Sequence, residues 1–291
     1  MALKSRLLTP VLIALSAVFA LSIYRLASGA PTLPWVGVML ASAPLPVFIS
    51  ILMVLRPAGR TSRHLPAFLG ISGLGLILTL VSAPTFDAAP ALLAAGSVSA
   101  LLWYDFIYSD LDRTDSRVLH VGAPLPDFTV QDLSGAEVSS ADFTGQKTLF
   151  LFYRGNWCPL CMAQIKEVAA RYIELSDIGV RIALISPQPH DQTASLAANF
   201  GVQMDFLRDV DGQAAQSLEI AAPDGTPSGL TLFGYSKDTV LPTVIATDAD
   251  GTIIYLDQTD NYRVRPEPDV FLEIFRGAAP AQIRLATEAV A

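Results

Sequence analysis

The stretch TLFLFYRGNWCPLC, residues 148–161, decides the fold and holds both cysteines of the 291-residue chain. Its apolar first part, residues 148–153, predicts a buried strand, and residues 162–175 carry apolar side chains at helical spacing. Cys158 and Cys161 are therefore expected where a strand turns into the N-terminal end of a helix. Unpaired backbone N–H groups and the helix dipole favour a thiolate there. Because the thiolate is the nucleophile in disulfide exchange and in attack on peroxide, the pattern indicates a redox site.

The cysteine pair has three other interpretations. A zinc site needs four ligands, and the remaining soft donors, His64, His120 and His190, are not paired at ligand spacing. A purely structural disulfide across so short a loop would stabilise little. Two unrelated buried cysteines are the third alternative. We therefore expect a redox pair, with no metal and no bound cofactor.

The first part of the chain is too apolar for an ordinary soluble domain. The whole sequence is 52% hydrophobic, and the excess lies in four stretches, residues 7–26, 33–55, 65–82 and 88–108. Each stretch is near the roughly 20 residues that a bilayer-spanning helix requires. The predicted organisation is as follows: residues 1–109, an all-α membrane region of about four transmembrane helices; 110–117, a charged, solvated linker; 118–277, a globular domain; and 278–291, a C-terminal tail.

The basic residues predict the orientation in the membrane. They precede the first apolar stretch and fill the second loop: Lys4, Arg6, Arg56, Arg60 and Arg63. The positive-inside rule places both segments in the cytoplasm, and four spans then place the C-terminal domain there too. If the first stretch is a cleaved signal peptide, three spans starting outside give the same result. The loss of another span would put the domain outside. The lipid bilayer is thus an expected partner, whereas the net charge of −8 argues against nucleic acid.

The C-terminal domain alternates strands and helices. Residues 180–186 predict a buried strand, residues 190–200 and 213–220 predict helices, and residues 243–256 predict a hairpin around the turn at 248–251. Residues 268–275 predict a closing helix. This order is typical of an α/β domain with a mixed sheet.

The ordered segments APLPDF, DLSG, FLFYRGNWCPLC, LISPQP, LRDVDG and LPTVIATDADGTI resemble a known family. They are similar to the thioredoxin fold in its peroxiredoxin-like branch, the alkyl hydroperoxide reductase and thiol-specific antioxidant proteins. The resemblance covers about residues 118–276, and nothing in the apolar half is matched. YRGNWCPLC followed by NYRVRPEP is especially similar to uncharacterised peroxiredoxin-like proteins of that branch. The resemblance implies an α/β thioredoxin-like fold with thiol-dependent redox activity.

Two templates within this resemblance assign the cysteines differently. As a thioredoxin, the chain would use Cys158 as the attacking thiol and Cys161 as the resolving thiol. Trp157 would flank the site, and Pro159 would stiffen the first turn of the helix. Pro242 would match the cis-proline that faces the thiols and lines the partner groove. The buried carboxylate usual in thioredoxins has no counterpart in the strand at residues 148–153.

As a peroxiredoxin, the chain would place Cys161 on the peroxidatic cysteine and Cys158 on the threonine that normally binds peroxide. Arg154 replaces the family's proline after the strand, and Leu241 replaces the arginine that activates peroxide. Three arginines are candidates to take over that role: Arg154, Arg263 and Arg265.

The leading hypothesis is a membrane-tethered thiol-disulfide oxidoreductase that uses the WCPLC dithiol of Cys158 and Cys161. The alternative is a thiol-dependent peroxidase that reduces hydrogen peroxide or organic hydroperoxides as an antioxidant. A third hypothesis is a non-enzymatic redox-sensing docking module. The expected partners are a protein disulfide or dithiol, or a hydroperoxide substrate, together with an external thiol electron donor.

Overall fold

A computed structural model describes residues 2–55, 58–82 and 87–277. The chain divides into two compact units. The apolar unit comprises Leu3–Pro57 and Arg63–Asp110, and the cysteine unit comprises Met1–Ala2, Ala58–Ser62 and Leu111–Ala291. The segment Ala58–Ser62 thus belongs with the cysteine unit, although the sequence places it inside the predicted membrane region. The predicted tail at 278–291 and Arg56 lie outside the described residues.

The apolar unit is helical in all four predicted stretches. Its helices are α1 (Ala2–Ala27), α2 (Thr32–Ser42), α3 (Pro44–Val54), α4 (Pro66–Ser82) and α5 (Ala89–Leu102), which continues as a π-helical turn, Trp103–Tyr108. Among the described residues, two helices are long and apolar enough to cross a bilayer, Leu3–Ala27 and Ala89–Tyr108. The α2–α3 pair, bent by 42°, would make a third span, and α4 has only 17 residues. Four membrane spans therefore remain a prediction.

Small residues bring α2 and α4 together within the apolar unit. A Cβ on Gly75 would lie 2.5 Å from the backbone oxygen of Gly37, so the two backbones approach too closely for any larger residue. The Ser72 hydroxyl donates to the carbonyl of Ala41 at 2.8 Å across the same contact. Close packing through glycine and serine is common between membrane helices.

The cysteine unit is a mixed α/β domain. Its strands are β1 (Thr129–Gln131), β2 (Glu137–Ser139), β3 (Lys147–Phe152), β4 (Val180–Ser186), β5 (Asp205–Arg208), β6 (Ala221–Ala222), β7 (Thr239–Val240), β8 (Thr243–Thr247) and β9 (Ile253–Asp257). Its helices are α6 (Pro159–Ala170), α7 (Tyr172–Asp177), α8 (His190–Ala198), α9 (Gln213–Ser217) and α10 (Pro268–Phe275). Seven strands form one sheet in the order β2-β1-β5-β4-β3-β8-β9, and β6 pairs with β7 separately.

The centre of the large sheet positions the cysteines. Strands β3, β4 and β5 are parallel, and β8 runs antiparallel to β3 with Phe152 opposite Thr243. Residues 148–152 of β3 are all buried, as expected for a central strand covered on both faces. Phe143 and Phe128 pack edge-on against Phe150, at ring-centroid distances of 5.0 and 6.0 Å. This apolar centre fixes the carboxyl end of β3, from which the cysteine loop departs.

Two predicted features of the domain differ from the structure. The predicted helix at 162–175 is broken at Arg171, whose backbone (φ −99°, ψ 9°) is not helical, so α6 and α7 are separate. The predicted solvated linker at 110–117 instead packs against the domain. Leu111 is buried and donates its backbone N–H to the carbonyl of Asp260, and Arg113 bonds the carbonyl of Pro242 at 2.8 Å. Asp112, Asp115 and Arg117 of the segment remain exposed, so most of its charges are solvated while its other residues bond the domain.

Candidate active site

The two cysteines lie in the turn between β3 and α6, as the sequence predicts. Cys158 is the residue immediately before the helix, Pro159 opens its first turn, and Cys161 is its third residue. Proline suits this position because its missing N–H would have no partner in the first turn anyway. Both cysteines are free thiols, and only 1% of Cys158 and 0% of Cys161 is exposed. Any reactant therefore needs the turn to open, and a small reactant needs the smaller opening.

Cys161 occupies an electropositive environment. The Arg265 guanidinium Nη2 lies 3.7 Å from its Sγ. Burial raises the pKa of Cys161, but a hydrogen bond from Cys158, the charge of Arg265, and the backbone N–H and charge of Arg154 outweigh it and lower that pKa to about 5. Cys161 is therefore the thiolate of the pair at neutral pH.

The pKa of Cys158 is shifted in the opposite direction, upward. Its hydrogen bond to Cys161, reinforced by burial and by the Cys161 charge, raises the pKa of the Cys158 thiol well above its ordinary value. Cys158 thus remains protonated and donates its S–H to the Cys161 sulfur. The peroxiredoxin template would likewise make Cys161 the thiolate of the pair.

Arg154 and Trp157 pack against each other in the loop that precedes Cys158. The Arg154 guanidinium donates to the carbonyl of Gly225 at 2.6 Å and lies over the Trp157 ring, 4.9 Å from its centroid. Gly155 has a φ of +144°, and a Cβ there would lie 2.6 Å from the indole Nε1 of Trp157. Glycine is required at this position because any side chain would displace the indole from the guanidinium.

A polar network holds the loop that precedes the cysteines. The buried Gln188 side chain, in the loop after β4, accepts from the backbone N–H of Asn156 at 2.8 Å and donates to the Tyr153 hydroxyl at 3.1 Å. Tyr235 donates its hydroxyl to the Asn156 side chain. The network ties the cysteine loop to β4 and to the segment that follows residue 223.

Arg265 is itself held by neighbours. Its Nε donates to the carbonyl of Tyr262 at 3.1 Å, and its Nη1 donates to Gln164 Oε1 of α6 at 3.3 Å. Burial raises the pKa of Asp257, at the end of β9, to about 6, although the charges of Arg265 and Arg113 oppose the rise. The charge of Arg265 thus acts on both Cys161 and Asp257.

The structure brings together the predicted residues Cys158, Cys161, Trp157, Pro159 and Arg154. Pro242 does not match the thioredoxin template as predicted, because the peptide bond before it is trans and its carbonyl accepts from Arg113. Sequence reasoning did not place Gln164, Gln188 or Asp257 in the site. The sequence signal for Gln164 and Gln188 as site residues is weak: each is a polar residue close in sequence to the cysteine motif or to the end of the next strand.

Comparison with known proteins found a matching family model and several relatives. Residues 121–256 match the model of the AhpC/TSA family. The chain is 25% identical over 163 residues to the thiol-disulfide oxidoreductase ResA of Bacillus cereus, covering 56% of this chain and 80% of that protein. It is 26% identical over 154 residues to the peroxiredoxin Bcp of Escherichia coli, covering 53% of this chain and 94% of that protein.

Among solved structures, the crystal structure of the peroxidoxin BcpB of Mycobacterium tuberculosis is similar, with a TM-score of 0.45 and 18% identity, covering 54% of this chain and 97% of that one. The matched relatives are thiol-disulfide oxidoreductases and peroxiredoxins, and both classes act through cysteine thiols.

Proposed function

We propose that the cysteine unit is a thiol-dependent peroxidase of the AhpC/TSA type, in which Cys161 attacks the hydroperoxide. The observation that carries the proposal is the position of the Arg265 guanidinium 3.7 Å from the Cys161 sulfur. A positive charge there stabilises both the attacking thiolate and the negative charge that develops on the departing oxygen. It supplies the peroxide-activating group that Leu241 leaves missing.

The first chemical step consumes the peroxide. The Cys161 thiolate attacks the terminal oxygen of the hydroperoxide, an S–O bond forms, and the O–O bond breaks. Cys161 becomes a sulfenic acid, and the departing alkoxide or hydroxide takes up a proton from water and leaves as an alcohol or water. Sulfur is oxidised by two electrons, and the peroxide is reduced by two.

The second step closes the disulfide. The Cys158 sulfur attacks the sulfenic sulfur of Cys161, the S–S bond forms, and the S–O bond breaks. The hydroxyl group leaves with the Cys158 proton as water. An external dithiol then returns two electrons and two protons by thiol–disulfide exchange.

A thiol-disulfide oxidoreductase is the second candidate. The similarity to ResA and the placement of Cys158 at the start of α6 favour it. The burial of both sulfur atoms favours a small oxidant over a protein disulfide as the first reactant, because a smaller opening of the turn admits the small molecule.

The two candidates differ in their preferred oxidant. Reduced full-length protein in detergent should react with hydrogen peroxide or an organic hydroperoxide at least about 100-fold faster than with an oxidised small protein, a difference of about 2.7 kcal/mol in activation free energy. Stopped-flow measurement of the three rate constants at pH 7 checks this. A protein disulfide reacting faster than either peroxide would favour the second candidate instead.

We further propose that the protein is anchored in a membrane by the apolar unit, with the cysteine unit on the cytoplasmic side. Ala58–Ser62 and Leu111–Ala291 belong to one unit, so both segments must lie on the same side of the bilayer. An even number of crossings between them, as by α4 and α5, satisfies this condition. The basic residues Arg60 and Arg63 support the cytoplasmic side.

Reporter fusions after Ser62 and after Arg117 test this topology. Both fusions should be active with a reporter that works only in the cytoplasm and inactive with one that works only outside it. Opposite results for the two positions would contradict the proposal.

A further inference from the structure

The segment Ala58–Ser62 makes specific contacts within the cysteine unit. A Cβ on Gly59 would lie 2.8–2.9 Å from the backbone and Cβ of Gln164, so this loop lies directly against α6. The Gly59 backbone N–H also donates to Glu167 Oε1 at 3.0 Å. No residue larger than glycine fits between the loop and the cysteine helix without a shift.

The same segment also contacts the chain that carries Arg265. The Thr61 backbone N–H donates to the carbonyl of Arg263 at 2.9 Å. Arg60 bridges two carboxylates, with Nη2 at 2.5 Å from Glu167 Oε2 of α6 and Nη1 at 3.2 Å from Glu267 Oε1. The loop therefore joins α6, which carries Cys161, to residues 263–267, which carry Arg265.

We propose that Ala58–Ser62 is a positioning element of the active site, which holds the Arg265 guanidinium against the Cys161 sulfur by clamping their two supporting segments together. Gln164 is the intermediate: Gly59 packs against its backbone, and its Oε1 accepts from Arg265 Nη1. The inference rests on the proposed role of Arg265 beside Cys161. It means that a segment of the apolar half of the sequence completes the redox site.

The pKa of Cys161 reports on this geometry. The titratable and charged groups that face Cys161 are Cys158 immediately before α6, Tyr153 and Arg154 after β3, and Arg265. The charges of Asp257 and Arg113 also interact with that of Arg265. If the loop no longer holds Arg265 in place, the thiolate loses stabilisation and its pKa rises.

Neutralising Glu167 distinguishes the positioning of Arg265 from the direct effect of the Glu167 charge on the pKa of Cys161. Removing a negative charge near a thiolate would by itself lower the thiolate's pKa. Loss of positioning predicts the opposite for E167Q: the pKa of Cys161 should rise by about one unit, which lowers the thiolate population at pH 5 about fivefold. R60M should raise this pKa as well, in the same direction as the loss of its charge. The double variant should show the same shift as either single variant, because both act through one contact.

The experiment measures alkylation of Cys161 by iodoacetamide against pH in full-length protein, with the modified residue identified by mass. G59V, which changes no charge, should raise the pKa as well. R117M removes an exposed ion pair with Glu219 in the same unit and should leave it unchanged. A lowered pKa in E167Q, or an unchanged one in G59V, would overturn the inference.

The test does not depend on peroxidase activity. If the wild-type protein reacts slowly with peroxide but the loop variants shift the Cys161 pKa as expected, the proposed function fails and the positioning inference stands. If R265M shifts the pKa and none of the loop variants does, the inference fails and the proposed function stands.

Discussion

Cys161→Ser should lower the rate of peroxide consumption at least about 1,000-fold, because it removes the proposed nucleophile. Cys158→Ser should behave differently. It keeps a hydroxyl donor beside the Cys161 sulfur, so one equivalent of peroxide should still react, within about tenfold of the wild-type rate constant. Turnover with an external dithiol should be lost, since no intramolecular disulfide can form. Stopped-flow and steady-state assays of both variants check these outcomes.

The reverse pattern would contradict this assignment. If Cys158 is the attacking thiol, as in the thioredoxin template, Cys158→Ser should abolish the first oxidation and Cys161→Ser should retain it. Thermal unfolding midpoints of both variants serve as the control for folding, because each substitution is made at a buried position.

Arg265→Met should lower the rate constant for peroxide about 100-fold, the typical effect of removing one charged donor from a developing anion. It should also raise the pKa of Cys161. The wild-type pKa is lowered to about 5, so the wild-type thiolate persists down to that pH and is protonated only below it. Loss of the cation moves this transition upward, and the variant should lose thiolate between pH 5 and 7, where the wild type keeps it.

Two further variants make the Arg265 result specific. Arg265→Lys keeps the charge but not the planar guanidinium that bonds Gln164 and Cys161 together, so it should retain most of the pKa shift and less of the rate. Arg276→Met removes an exposed arginine from the end of α10 and should change neither quantity. Equal peroxide rates in Arg265→Met and the wild type would exclude Arg265 as the activating group.

Asp257 is a second group that titrates in the range of this comparison, because its pKa is raised to about 6. Making the comparison in an Asp257→Asn background removes its titration.

Local patterns were sufficient to predict strands β3 and β4, the hairpin of β8 and β9, and the cysteine turn. The apolar run of β3, the proline at the start of α6 and the hairpin of β8 and β9 each follow from neighbouring residues, and the structure confirms them. The break at Arg171 was missed because apolar spacing continues across it. Periodicity reports which face is buried and is insensitive to a single non-helical residue.

The environment of the cysteines was less predictable because it is assembled from distant segments. Arg265 is 104 residues from Cys161 in sequence, and Gly59 is 108 residues from Glu167. The sequence offered three arginines as candidates without distinguishing them. It also presented Arg60 as a topology signal, whereas the structure pairs it with two carboxylates. Contacts of this kind depend on how distant segments pack together, and the pattern of neighbouring residues in a sequence does not reveal them.

The residue that is oxidised first shows most directly whether Cys161 is the thiol that attacks the peroxide. Reduced full-length Cys158→Ser protein is treated with one equivalent of hydrogen peroxide in the presence of a dione that traps sulfenic acids, and the adduct is mapped by mass spectrometry of peptides. We expect a single adduct on Cys161, formed as fast as peroxide disappears. An unmodified Cys161 thiol after the same treatment, with peroxide unconsumed, would contradict it.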